Sequence, residues 1–218
     1  ANTHWNDITV PHGMHQTLTL SDGTKLHVNS GTRVIYPSDF TEDKREIFVS
    51  GELFADVAKD PDKAFIISAG DVHVQVLGTK FNLRAYENIE TVELVEGSVL
   101  FKTPTHPNEI LKKGEMIQYN RASQKIVRET FLANLYKCPS KSEGFYFSNL
   151  PLSDIVKELE YYFDTRIIIL DQKLSDNTYI AYFTNGETLD EILSNLNTDG
   201  QMSITRSQEV IMITSATP

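Results

Sequence analysis

A change of hydrophobic period part-way along the chain limits its fold more than any other feature. From Ile8 to about Arg128, short apolar and polar runs alternate, turn residues recur every eight to twelve positions, and no apolar stripe at helical spacing occurs. Alternation puts successive side chains on opposite faces of a strand, so an all-β domain is expected here. Between 131 and 143, Leu135, Cys138-Pro139 and a small polar run break the pattern, and beyond them the period is 3.6. Leu152, Ile155, Val156, Leu159 and Phe163 share one helical face, with Pro151 near the start, where its missing N–H costs nothing. The expected division is a β-domain over 1–130, a linker over 131–143 and a second domain over 144–218.

In the first domain, Thr17 to Leu20 and Lys25 to Val28 flank Ser21-Asp22-Gly23-Thr24, an Asp-Gly step suited to a tight hairpin turn. Further strands are expected at Arg45 to Val49, Glu52 to Val57, Ala64 to Ser68, Val72 to Leu77, Lys80 to Tyr86, Thr91 to Val95, Ser98 to Lys102, Glu115 to Tyr119 and Lys125 to Arg128. So many short strands require a sandwich, a barrel or a β-roll. In the second domain, strands are expected at Phe145 to Phe147, Arg166 to Leu170, Tyr179 to Phe183, Met202 to Thr205 and Val210 to Ile213. Thr188-x-x-Glu191 is a capping box opening a helix with Leu189, Ile192, Leu193 and Leu196 on one face. The order suggests a small α+β domain, a split βαβ layer burying both helices on one sheet.

The charge balance of 20 Lys and Arg against 30 Asp and Glu leaves neither half basic, which argues against a nucleic-acid partner. The longest apolar runs, such as Ile167 to Leu170, are far too short to cross a bilayer. Cys138 is the only cysteine, so no internal disulfide can form and the compartment stays open. His12-x-x-His15 with His27 is the one histidine cluster worth testing, yet zinc ordinarily takes three or four ligands, and no metal or other cofactor is expected. No Gly-x-Ser-x-Gly elbow is present. Gly78-Thr79-Lys80 lacks the spacing of a phosphate loop. Glu52, Asp56, Glu93 and Glu96 could pair in space, but alternate acidic residues on strands usually form a solvated face. A binding module, not an enzyme, is expected.

Several stretches taken in order carry a resemblance: Leu18-Thr19-Leu20-Ser21-Asp22-Gly23-Thr24, Val28-Asn29-Ser30-Gly31-Thr32, Gly51-Glu52-Leu53-Phe54-Ala55-Asp56-Val57, Val76-Leu77-Gly78-Thr79-Lys80-Phe81-Asn82-Leu83-Arg84-Ala85-Tyr86 and Leu94-Val95-Glu96-Gly97-Ser98-Val99. They resemble the periplasmic part of FecR-type anti-sigma factors. Phe147-Ser148-Asn149-Leu150-Pro151-Leu152, the Leu159-x-x-x-Phe163 face and Thr188-Leu189-Asp190-Glu191-Ile192-Leu193 are similar to the C-terminal domain that follows FecR domains in glycan-foraging Gram-negative bacteria. More distantly, this region resembles the short N-terminal signalling domain of secretins and TonB-dependent receptors.

The resemblance implies a single-pass inner-membrane protein whose periplasmic part receives a signal from a TonB-dependent outer-membrane transporter. It also implies a cytoplasmic segment, absent from this chain, that restrains an extracytoplasmic-function (ECF) sigma factor, and a chain that begins where the membrane helix has ended. A small split βαβ sheet has edges to which a partner strand can add. Tyr179, Tyr182 and Phe183 concentrate the aromatic area that interfaces use and are the candidate partner-binding residues, although the same rings would serve equally to pack on the helices. The alternative function is a carbohydrate-binding or adhesive β-module, against which stands the place of the only tryptophan, Trp5, ahead of the first expected strand.

Overall fold

A computed structural model of the protein describes residues 3–41, 43–135, 145–183, 186–207 and 210–216. The chain divides into two compact units, one of residues 1–11 and 15–140, the other of 12–14 and 141–218. The first is the expected all-β unit, a large curled sheet, and the second is α+β.

The strands of the first unit are β1 (Trp5–Thr9), β2 (Gln16–Thr19), β3 (Lys25–Val28), β4 (Arg33–Pro37), β5 (Arg45–Asp56), β6 (Phe65–Ala69), β7 (Val72–Val76), β8 (Lys80–Tyr86), β9 (Ile89–Glu96), β10 (Ser98–Lys102), β11 (Glu109–Lys112), β12 (Glu115–Asn120) and β13 (Lys125–Thr130). They form one sheet in the order β11-β10-β7-β6-β5-β8-β9-β12-β13, with β4 and β3 branching from β5 and carrying β1 and β2. The branching comes from β5, where two strands broken at Ser50-Gly51 were expected and one strand of twelve residues is found. Its first half pairs with β6 and β4, and from Gly51 onward it pairs with β8 and β3. The same side-chain parity, Ile47, Val49, Leu53 and Ala55, points into the core along its whole length.

Gly51 marks a bend, not an end. Its φ is +121°, and an added Cβ would lie 2.4 Å from Thr32 Oγ1 and 2.8 Å from Thr32 Cα. Thr32 takes that space and serves the bent backbone twice, its hydroxyl accepting from the Glu52 N–H at 2.9 Å and lying 3.0 Å from the Glu52 carbonyl, to which it donates. The hairpin expected at Asp22-Gly23 is present between β2 and β3. Gly23 has φ +86°, and the Asp22 carboxylate accepts from the Thr24 N–H and hydroxyl.

Three strands had no counterpart in the sequence reading. β1 and β4 pair with each other, β1 only half-buried on alternate residues, and β11 is a four-residue strand at the end of the sheet. Their alternation is too short and too polar to stand out from loop. Trp5 therefore lies within the first strand, not ahead of it. Of the expected linker, Ala133–Leu135 is a 3-10 turn, and 136–144, with Cys138, lie outside the described residues.

The second unit contains β14 (Phe145–Pro151), α1 (Leu152–Phe163), β15 (Arg166–Ile169), the one-turn α2 (Gln172–Ser175), β16 (Thr178–Phe183), α3 (Leu189–Leu196), β17 (Met202–Arg206) and β18 (Val210–Ser215). The capping box is formed: the Thr188 hydroxyl accepts from the Glu191 N–H, and the Glu191 carboxylate accepts from the Thr188 N–H. Among the described residues the single expected sheet is replaced by two, β14-β16 and β15-β18-β17. Adjacent buried pairs, Ile155-Val156 on α1 and Ile192-Leu193 on α3, make each apolar stripe wide enough to meet more than one layer. The core accordingly joins Phe147, Leu150 and Phe183 of one sheet to Ile167, Met202, Ile211 and Ile213 of the other.

One buried group of the first unit departs from ordinary titration. Glu90 on β9 is buried, with Arg121 Nη2 3.2 Å away. Desolvation pushes its carboxyl up to about 7, the Arg121 charge opposes this, and Asp71 adds to it.

Two predictions follow from these local geometries. Gly51→Ala meets backbone as well as positive φ and should cost at least ~3 kcal/mol in urea unfolding, whereas Gly23→Ala, with open space around its Cβ, should cost about 1 kcal/mol. Equal losses would mean that the Thr32 contact does not govern the bend. For Glu90, the unfolded chain releases its proton near pH 4.5 while the folded chain holds it to about 7, so stability falls as pH rises through that window and levels above it. Glu90→Gln should therefore gain on the parent by up to ~3 kcal/mol between pH 4.5 and 7.5. Parallel stability profiles for the two proteins would contradict the assignment.

Candidate functional site

β16 reads Thr178-Tyr179-Ile180-Ala181-Tyr182-Phe183, a β-branched and aromatic run that suits a pleated, half-buried surface. It pairs antiparallel with β14, Phe145 opposite Phe183 and Leu150 opposite Tyr179, with a bulge between Phe147 and Leu150 where Asn149 takes φ +50°. Among the described residues β16 is an end strand of a two-stranded sheet.

Alternation divides the aromatic candidates between two faces. Phe183 is buried and meets Phe147 edge-on, ring centroids 6.0 Å apart. Tyr179 is half-buried against the same core, where burial, followed by Asp199, raises its hydroxyl pKa and a hydrogen bond with Asn177 opposes the rise. Tyr182 is on the other face, 47 % exposed, beside Ile180 at 72 %. The exposed face thus joins Tyr182 to Ile180, a residue the sequence reading passed over. A period of two already separates 179, 181 and 183 from 180 and 182. Only the packing of the helices says which set is buried.

The residues weighed for chemistry are dispersed or enclosed. His27 Nδ1 lies 3.1 Å from the Thr17 hydroxyl on the neighbouring strand. His12, which belongs to the second unit, pairs with Asp164 at 3.0 Å. Among the described residues no three His, Cys, Asp or Glu side chains gather as metal ligands. Thr79 sits in the connection before β8, its hydroxyl donating to the Ser98 carbonyl.

The carboxylates depart from the expected solvated face. Glu96 is exposed and pairs with Lys80, but Glu52 and Glu93 are buried. Asn29 and Asn82 donate to the two Glu52 oxygens at 2.9 and 2.8 Å, Asn82 lies 3.4 Å from Glu93, and Arg84 lies 3.5 Å from Glu93. Side-chain amides and a guanidinium on β8 and the segment after β3 can compensate charge buried on β5 and β9, which neither strand pattern nor spacing announces. A carboxylate pair so enclosed is part of the scaffold and is not presented to a substrate.

The family of FecR proteins matches residues 6–100, and the FecR C-terminal family matches residues 144–213. No curated protein matches the chain. Among solved structures, the chain is similar to a candidate anti-sigma factor from Parabacteroides distasonis ATCC 8503, determined at 1.65 Å, with a TM-score of 0.88 and 27 % identity over 97 % of this chain and 100 % of that one. A second crystal structure of that description, at 2.50 Å, gives the same score and identity over 98 % and 100 %.

Proposed function

From the fact that this chain belongs to the FecR family of anti-sigma factors, we propose that it is the periplasmic, signal-receiving region of a membrane-anchored regulator. The family is a regulatory class whose partner is a sigma factor. In this reading the sigma factor is of the extracytoplasmic-function type and is held by a segment outside this chain. The incoming signal is the signalling domain of a TonB-dependent outer-membrane transporter, and the protein acts by contact, with no cofactor and no chemical step. Among the described residues no helix is long and apolar enough to cross a membrane, so the anchor would also lie outside them.

The observation that carries the reading is β16 in the second unit. An end strand of a two-stranded sheet, with Ile180 and Tyr182 facing outward, can take a partner's strand by main-chain hydrogen bonds while its exposed side chains supply selectivity. Phe183 and Tyr179 would act indirectly, holding the strand on the core. Contacts of this transient kind can be as small as ~1,200 Å² in total.

Calorimetric titration of the full chain with the signalling domain of the cognate transporter should give saturable binding. Ile180→Lys, which places a charge in the middle of the exposed face, should weaken binding at least tenfold, or about 1.4 kcal/mol, while leaving the melting temperature nearly unchanged. Phe183→Ala should instead cost about 3 kcal/mol of stability. Full affinity in Ile180→Lys would remove β16 from the interface, and no heat with both partners folded would remove the transporter domain as the partner.

A further inference from the structure

The strands that stand at sheet ends differ in what they present along their free edges. β1, β11, β13, β15 and β17 each carry at least one charged side chain, and at β11 the Ile110 carbonyl is taken by Arg128 Nη2 at 2.7 Å. β14 has the bulge between Phe147 and Leu150 and ends in Pro151, and β2 has only four residues. Charge, proline, bulges and shortness are the means by which an end strand is kept from pairing with another chain. β16 has none of them. It runs for six residues without a charge, a proline or a glycine, and among the described residues its main chain pairs with no strand but β14.

The strand is also complementary to itself. In an antiparallel pair the residue numbers of opposed positions have a constant sum, and an even sum keeps like faces together. With the two-fold axis at Ala181, Ile180 of one copy stands opposite Tyr182 of the other on the exposed face, and Tyr179 stands opposite Phe183 on the face that meets the core. Aliphatic-aromatic and aromatic-aromatic pairs of this kind stabilise antiparallel strands, and the smallest side chain of β16 falls on the axis, where the two copies are closest. An axis at Ile180 would instead set Tyr182 against Thr178 and Phe183 against Asn177, which lies outside the strand.

Charge separates a second copy from other occupants. A partner recognised through its charges would find no counter-charge on β16, whereas a second copy brings no like charge against it within the strand. The net charge of −10 makes two chains repel at longer range, so the pairing is weak at low ionic strength and is strengthened when salt screens that repulsion. Geometry also limits the assembly to two. Pairing turns two two-stranded sheets into one of four strands, β14-β16-β16-β14, and the outer edges are then the bulged β14 strands with Pro151, which resist further growth.

We propose that β16 pairs with β16 of a second copy of this chain, antiparallel about Ala181. The edge covered in this way is the one that a transporter signalling domain would use, so self-pairing and transporter binding exclude each other and the free strand edge is exposed only when the copies part. That regulatory consequence rests on the proposed function; the self-pairing does not.

Sedimentation equilibrium of the full chain alone, from about 10 µM to about 1 mM, should show a reversible equilibrium between monomer and dimer that shifts toward dimer when NaCl is raised from about 50 mM to about 500 mM. Ile180→Lys and Tyr182→Glu, both at exposed positions, should each weaken the dimer at least tenfold with an unchanged melting temperature. Mixed in equal amounts, the two variants should associate with each other, because the two new charges, of opposite sign, then face one another across the strand pair. A chain that stays monomeric throughout, a dimer indifferent to both variants, or a mixture no more associated than either variant alone would each overturn the proposal. A monomer that binds the transporter domain would remove self-pairing and leave the proposed function standing, and a dimer of the stated behaviour that binds no transporter domain would do the reverse.

Discussion

The bend of β5 at Gly51 is the constraint on which the first unit depends. A strand that keeps one side-chain parity inward through twelve residues, yet changes neighbours half-way, holds both parts of the sheet around one core. The turn can be made only where no Cβ stands in the path of Thr32, and the Thr32 hydroxyl then supplies the hydrogen bonds that the bent backbone would lose. The strand is engaged at its start and at its middle. At its start Arg45 ties the β2-β3 hairpin, through Asp22, to the loop carbonyls of Ala58 and Lys63. Just past the bend Glu52 anchors the amides of Asn29 and Asn82. The Gly51-Glu52 pair thus has a physical reason for each member: the glycine permits the crossing and the carboxylate fastens the strands that meet there.

The Glu52, Asn82, Glu93 and Arg84 network illustrates how such a scaffold differs from an active site made of the same residue types. Burying two carboxylates is costly, and the donors around them compensate that cost more than they add net stability. Their value is geometric, because Asn82 and Arg84 on β8 stand between Glu52 of β5 and Glu93 of β9 and tie the three strands together. The second unit is built differently. Its core is made of aliphatic and aromatic side chains from α1, α2, α3 and the two narrow sheets, so that strands such as β16 stand at sheet ends with one face buried and the other exposed.

The contrast between what could be read in advance and what could not follows the range of the interactions. The Asp22-Gly23 turn, the capping box of Thr188 and Glu191 and the helix stripe of Leu152 to Phe163 were legible because each is decided within a few residues, by permitted φ, by hydrogen bonds three positions apart and by a 3.6-residue period. The exposed pair Ile180 and Tyr182 was half legible: the period of two grouped them, but which group meets the core depends on helices distant in sequence. The buried state of Glu52 and Glu93 was illegible, since their compensating donors come from separate strands.

The sequence by itself therefore determined the two classes of structure, the order of nearly all the elements and the kinship with anti-sigma factors, because local backbone preferences and short motifs encode these. Tertiary structure alone decided that two expected strands are one, that the described residues of the second unit form two sheets, and that Trp5 belongs to a strand and faces outward beside Phe48. Each of these depends on groups far apart in the chain competing for the same space or the same hydrogen bond, and that competition is settled only when the whole unit packs.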